Sequence, residues 1–187
     1  MNGIKIFSLL CVVVSFISCA SRTGQQETVY FEDEALSSSY KVLNTELLNN
    51  SHKILAIPFR PGKGVESNEK LDAISLMIIK GLHDSFKDSG GHYKVLSADE
   101  SEDAELILRG YIVKMQAPKK GWKSWFVFKK PLILAIDVTL LHQKSGQTVA
   151  VFKQVRESRE KNLDLKYLAH FLGQDIGNII GSEIQKK

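Results

Sequence analysis

The sequence predicts an α/β domain. Its expected form is a single mixed sheet of about five strands covered by two main helices, in the order β-α-β-β-β-β-α after a short leading helix. Three observations predict it. Leu132, Leu134, Ile136, Val138 and Leu140 fall on one face at period two, the mark of a half-buried strand. Leu71, Ile74, Ile78, Leu82 and Phe86 form one helical stripe, and Leu165, Leu168, Leu172, Ile176 and Ile179 form another. The chain has 187 residues, 43% hydrophobic and 25% charged, which suits one domain and excludes wholesale disorder.

The elements follow in order. Leu36, Tyr40, Leu43 and Leu47 recur at helical spacing, so a short helix is expected there, ended by Asn49-Asn50-Ser51. The apolar run Lys53 to Phe59, stopped by Pro58 and Pro61, reads as a buried strand. Asn68 is placed to cap the first main helix, and Gly90-Gly91 to close it. His92 to Leu96 reads as a short strand. Glu105 to Met115 and Leu132 to Leu141 are two more. Lys144-Ser145-Gly146-Gln147 is a turn signal, with Thr148 to Val155 as the return strand. The second main helix runs from about Leu163 to Gln185.

Ahead of this domain lies a segment of another kind. Lys5 is followed by an apolar run from Ile6 through Ile17, broken only by two serines. Twelve residues fall short of the ~20 that a spanning helix needs, and match the core of an export signal. The division expected is a signal peptide over 1–18, a tether over 19–35 and one α/β domain over 36–187. The two cysteines, Cys11 and Cys19, are too few for a disulfide scaffold or a four-cysteine zinc site. A net charge of +4 is too small to imply a nucleic-acid partner, and an exported compartment argues against one as well.

Phe16-Ile17-Ser18-Cys19 resembles a bacterial lipobox, with phenylalanine where leucine is usual. The resemblance implies cleavage before Cys19 and lipidation of its thiol, leaving 169 residues with no free cysteine. A buried methylene contributes ~0.8 kcal/mol, so two or three chains hold a protein firmly on a membrane. Ala20 and Ser21 include no aspartate, which by resemblance to the best-studied sorting rule favours the outer membrane, facing the periplasm. A plain secretory signal with a coincidental cysteine, or an uncleaved anchor, is the alternative.

Patterns for small-molecule chemistry are absent. The loop Arg60-Pro61-Gly62-Lys63-Gly64-Val65-Glu66-Ser67 lacks both the phosphate-loop and the dinucleotide patterns. The five histidines show no metal-ligand spacing, no serine sits in a nucleophile elbow, and the acidic run Asp99 to Glu105 has no calcium-loop glycine. No catalytic residue, cofactor or metal is therefore expected, and the chain is read as non-enzymatic.

Two features carry more weight. Residues 119–131 gather five lysines and four aromatics, among them Lys120, Trp122, Lys123, Trp125, Phe126 and Phe128. Tryptophan favours membrane interfaces, and a lysine near an anionic surface contributes ~1 kcal/mol. The segment is either a contact with headgroups or a partner, or a long hairpin whose aromatics pack on the core. Gly173, Gly177 and Gly181 repeat every four residues along the last helix, each costing ~1 kcal/mol against alanine. Such a flat stripe lets another backbone approach closely. It fits packing on the domain's own sheet or a subunit interface in a homo-oligomer.

Ala104-Glu105-Leu106-Ile107-Leu108-Arg109-Gly110-Tyr111-Ile112 resembles a strand shared by a group of bacterial envelope lipoproteins. That group includes the curli-export lipoprotein, the TolB amino-terminal domain and uncharacterised lipoprotein families. Ile54 to Phe59 resembles the group's opening strand, and Ser145-Gly146-Gln147-Thr148-Val149 its turn into a later strand, over about residues 53–184. The resemblance implies an envelope α/β lipoprotein, and pore formation is not carried over from it. The function expected is a lipid-anchored docking or assembly module for other envelope proteins. The alternative is a component or ligand carrier of an outer-membrane export or lipid/polysaccharide transport assembly.

Overall fold

Three strands of eleven residues build the centre of the sheet, and their alternation decides which face is buried. The computed structural model describes residues 37–88, 90–117, 131–160 and 163–184. The central strands are β5 (Leu106–Gln116), β6 (Leu132–His142) and β7 (Thr148–Ser158), an antiparallel meander. The remaining strands are β1 (Ser39–Val42), β2 (Lys53–Ala56), β3 (Arg60–Pro61) and β4 (Lys94–Leu96). The order is β1-β7-β6-β5-β2-β4, with β3 off this path beside β5. β2 runs parallel to both β4 and β5, and β1 antiparallel to β7.

The sheet has seven strands, two more than the sequence pattern predicts. Pro58 accounts for one of them. It interrupts the apolar run after β2, because proline cannot donate to the ladder. The chain rejoins β5 as β3, opposite Tyr111 and Ile112. The other is β1, where a helix was expected from Leu36. Tyr40 and Val42 lie two apart and face the core side of β7, so period two prevails over the i, i+4 pattern. Only α1 (Thr45–Asn49) is helical there, capped by Asn44, whose Oδ1 accepts the Leu47 N–H at 2.9 Å.

α2 (Glu69–Asp88) and α3 (Leu165–Ile184) are the two main helices. Asn68 caps α2, accepting the N–H groups of Lys70 and Leu71 at 3.1 and 3.2 Å. Gly90 and Gly91 end it at φ 89° and 73°, where a side chain would be strained. All three helices feed one core with the inner face of the sheet: Leu48 from α1, Ile78 and Leu82 from α2, Leu172 and Ile176 from α3.

Gly173 and Gly177 on α3 pack against α2, where the sequence reading weighed the sheet or a subunit interface. A Cβ on Gly173 would overlap the Ile78 carbonyl, and one on Gly177 would meet Ser85 at 2.7 Å. Gly81 completes the contact from α2, where a Cβ would overlap the His170 carbonyl. Gly181 lies one turn beyond on the same helix and is half-buried.

This geometry ranks the substitutions. Gly173→Ala meets backbone that cannot yield and is expected to destabilise the fold by about 3 kcal/mol, the upper part of the overpacking range. Gly177→Ala meets a small side chain and is expected to lower stability less. Urea unfolding of the two variants beside the parent gives that order, and equal midpoints for all three would contradict it.

Candidate interaction surface

The two strands at one margin of the sheet are unequal in length. β1 pairs Ser39–Val42 with residues 150–153 of β7 and then stops. Beyond it, the Val155 N–H donates to Ser38 Oγ at 3.1 Å, and Ser38 Oγ donates to the Val155 carbonyl at 3.3 Å. One hydroxyl thus takes the place of a strand residue at the end of the ladder. From Gln154 to Ser158, β7 has no strand on that side among the described residues.

A shallow groove of about 600 Å³ lies beside this margin, between β1, β7 and α3. Most of its polar groups are mutually paired. Arg156 donates to both carboxylate oxygens of Asp175, at 2.8 and 2.6 Å, and its guanidinium lies 5.5 Å over the Phe171 ring. Tyr40 donates to Glu183 Oε1 at 3.0 Å, and Asn178 Oδ1 accepts from Ser85 at 2.7 Å. Gln154 is the most buried polar residue of the lining. It is only 5% exposed and lines the groove from the core side of β7.

The face of the sheet opposite the helices is half-buried. Tyr111, Asp137 and Lys153 form one row across β5, β6 and β7, with Arg109 and Thr139 in the next. Burial pushes the Asp137 carboxyl above its usual range, and Lys153 opposes the shift. A bulge between Ile112 and Lys114 shifts the register, so that Met115 returns to the core side opposite Leu134.

The aromatic and lysine side chains of Lys120, Trp122, Lys123, Trp125, Phe126 and Phe128 lie outside the described residues, as do Cys19 and its flanks. What the structure gives is the position of the segment's base. It joins β5 to β6, and Gln116 Nε2 donates to the Pro131 carbonyl at 3.0 Å across that base. The acidic run forms a 3-10 turn, Ala98–Asp103, in which Glu100 pairs with Lys94. Glu105 accepts the backbone N–H groups of His52 and Lys53, which hold its carboxyl below the usual range. Among the described residues no three His, Cys, Asp or Glu side chains cluster to hold a metal, and no helix is long and apolar enough to cross a membrane.

The groove escaped the sequence reading because its lining comes from three distant stretches: 38–40, 154–156 and 175–179. Gly81 escaped it for another reason, since a single glycine within a helical stripe has no period. His170 lies across the helix pair from Asp84, with Nε2 and Oδ2 at 2.9 Å.

PelC from Paraburkholderia phytofirmans, solved as a dodecamer, matches this architecture in two crystal forms. The TM-scores are 0.53 and 0.54 at 13% and 12% identity, covering 77% and 78% of this chain and 98% of PelC. The fold is that of PelC. A DUF4136-family protein from Bacteroides thetaiotaomicron is also similar, with a TM-score of 0.46 at 11% identity, covering 83% of this chain and all of that one. A lipoprotein from Neisseria meningitidis gives 0.42 at 11% identity, over 70% of this chain and 99% of its own. No family model and no curated protein matches the sequence.

Two carboxylates should move stability with pH in opposite directions. The hydrogen bond from His170 holds Asp84 below its ordinary value. Its contribution is therefore full above the unfolded pKa of ~3.9 and is lost as pH falls through the lower folded value. Asp137 is raised by burial, so stability falls as pH rises from ~3.9 through its folded value. Asp84→Asn should lower the urea midpoint at pH 6 but not at pH 2. Asp137→Asn should raise it at pH 7 and leave it unchanged at pH 3.

Proposed function

We propose that this chain is a lipid-anchored protein of the bacterial envelope that acts as a non-enzymatic docking or assembly module. The observation that carries the reading is the groove between β1, β7 and α3, beside the stretch of β7 that no described strand covers. The charged pair beside it, Arg156 with Asp175, is self-satisfied, and Val155 is bonded to Ser38, while beyond Val155 no described strand pairs with β7 on that side. Such a surface suits binding through hydrogen bonds better than acid–base or nucleophilic work.

The lipobox at Cys19 supplies the address. Lipidation there, in the outer membrane and facing the periplasm, would hold the domain on a short tether. The resemblance of the strand around Gly110 to the curli-export and TolB group supports the same compartment. That glycine has a clear role in the fold, because a Cβ there would overlap the Phe59 ring packed against it.

A second reading is favoured by the shared fold with PelC, which crystallised as a dodecamer. On that reading the chain forms a homo-oligomer within an outer-membrane export or transport assembly. Mass photometry of the lipidated protein in mild detergent separates the two, since a strictly monomeric particle excludes the oligomer.

Crosslinking in the native envelope followed by mass spectrometry tests the leading reading, and a recurrent envelope partner is the expected result. Cys19→Ala should move the protein from the membrane to the soluble fraction. Trp122→Ala with Trp125→Ala should reduce recovery of the partner several-fold, on the scale of interface anchors. Recovery unchanged in the double variant removes residues 119–131 from the contact.

A further inference from the structure

We infer that the domain stands on an anionic bilayer surface with one end of its sheet, the end carrying Ser38, Gln116, Pro131 and Ser158, toward the headgroups. This rests on the lipid-anchored reading and says which part of the molecule meets the lipid.

The strand registers define the two ends. Leu132 lies opposite Ser158 and Gln116 opposite Ile133, so β5 stops, β6 starts and β7 stops at one level. Ser38 bonds Val155, close to Ser158, which puts the start of the domain at the same end. The far end holds the starts of β2 and β5 and the turn after β6. Eleven-residue strands separate the two ends by about 35 Å.

The two ends carry opposite charge. The chain between Gln116 and Pro131 contains five lysines and no carboxylate. Setting these aside (25 less 5) leaves 20 basic residues against 21 acidic ones, so the entire positive excess lies in this connection. Near it, Glu157 and Asp175 are matched by Arg159 and Arg156. At the far end the balance reverses. The 3-10 turn holds Asp99, Glu100, Glu102 and Asp103, and the Gln143 amide donates to its Ser101 carbonyl at 3.3 Å, just past the end of β6. Glu105 follows at the foot of β5, and Lys94 offsets one charge of the five. With a Debye length of ~8 Å the two ends act independently, so an anionic surface attracts one and repels the other.

The anchor alone would not choose between them. From Cys19 to Ser37 the chain advances 18 residues, a reach of at most ~65 Å, enough for either end to meet the bilayer. Anchoring makes the encounter intramolecular, and charge then selects the end. Each lysine beside an anionic surface is worth about five-fold in affinity, and tryptophans such as Trp122 and Trp125 suit the headgroup layer. Glu32, Asp33 and Glu34, just ahead of Ser37, are the competing partners for those lysines.

On the lipid-anchored reading Cys11 is removed and Cys19 is acylated, so an introduced cysteine is the only free thiol. Glu160→Cys places a fluorophore at the near end and Lys144→Cys at the far end; both residues are exposed, and thermal melts check that both variants fold. The labelled, lipidated proteins are reconstituted in vesicles of phosphatidylethanolamine and phosphatidylglycerol that carry a headgroup quencher. The near label should be quenched several-fold more than the far one. That difference should shrink on vesicles of phosphatidylcholine alone. It should also shrink when Lys119→Gln, Lys120→Gln, Lys123→Gln, Lys129→Gln and Lys130→Gln are combined. Equal quenching of the two labels overturns the proposal. So does a difference that neither change reduces, which leaves the lysines to Glu32, Asp33 and Glu34 or to an acidic protein. Failure of the protein to float with the vesicles overturns the lipid-anchored reading itself, whereas floating with both labels equally quenched removes only the orientation.

Discussion

The close approach of α2 and α3 is the contact on which the remainder rests. Gly81, Gly173 and Gly177 let two helices meet backbone to backbone, where ordinary side chains would hold the axes 8–10 Å apart. The joined pair lays Ile78, Leu82, Leu172 and Ile176 against the inner face of the meander. It also fixes where α3 runs beneath β7, and so where Asp175, Asn178 and Ile179 stand opposite Gln154 and Arg156. The groove is thus a by-product of helix packing as much as of the sheet.

How far the sequence reveals this depends on whether a feature is periodic. The strand at Leu132 to Leu140 and the stripes of α2 and α3 repeat with their secondary structure, and the structure places them within a residue or two of expectation. The Asn68 cap and the Gly90-Gly91 stop are local chemistry and equally legible. The region from Leu36 to Leu47 was ambiguous because Leu36 and Tyr40 satisfy both a four-residue and a two-residue repeat. β7, far away in sequence, settles it by offering Tyr40 and Val42 a ladder. Helix propensity is a weak prior against such a partner.

The functional surface was less legible, for a related reason. The glycine stripe announced a close contact without naming the other side, because Gly81 stands alone among apolar residues. Gln154 looked like an ordinary polar residue in a strand. Its place beside the groove, 5% exposed, emerges only in the assembled fold. Asp137 is comparable: alternation puts it on the half-buried face, but only the assembled sheet reveals how far its charge is removed from water.

The ladder between β1 and β7 has a consequence for the order of assembly. Ser38 and Val155 are separated by 117 positions, while β5, β6 and β7 are joined by successive hairpins. Loop-closure entropy favours the near pairs, so the meander leads and β1 closes onto it afterwards. The domain would therefore fold from its far half back toward its first strand. That strand would be the last to lock, and on the folded molecule the cheapest to release.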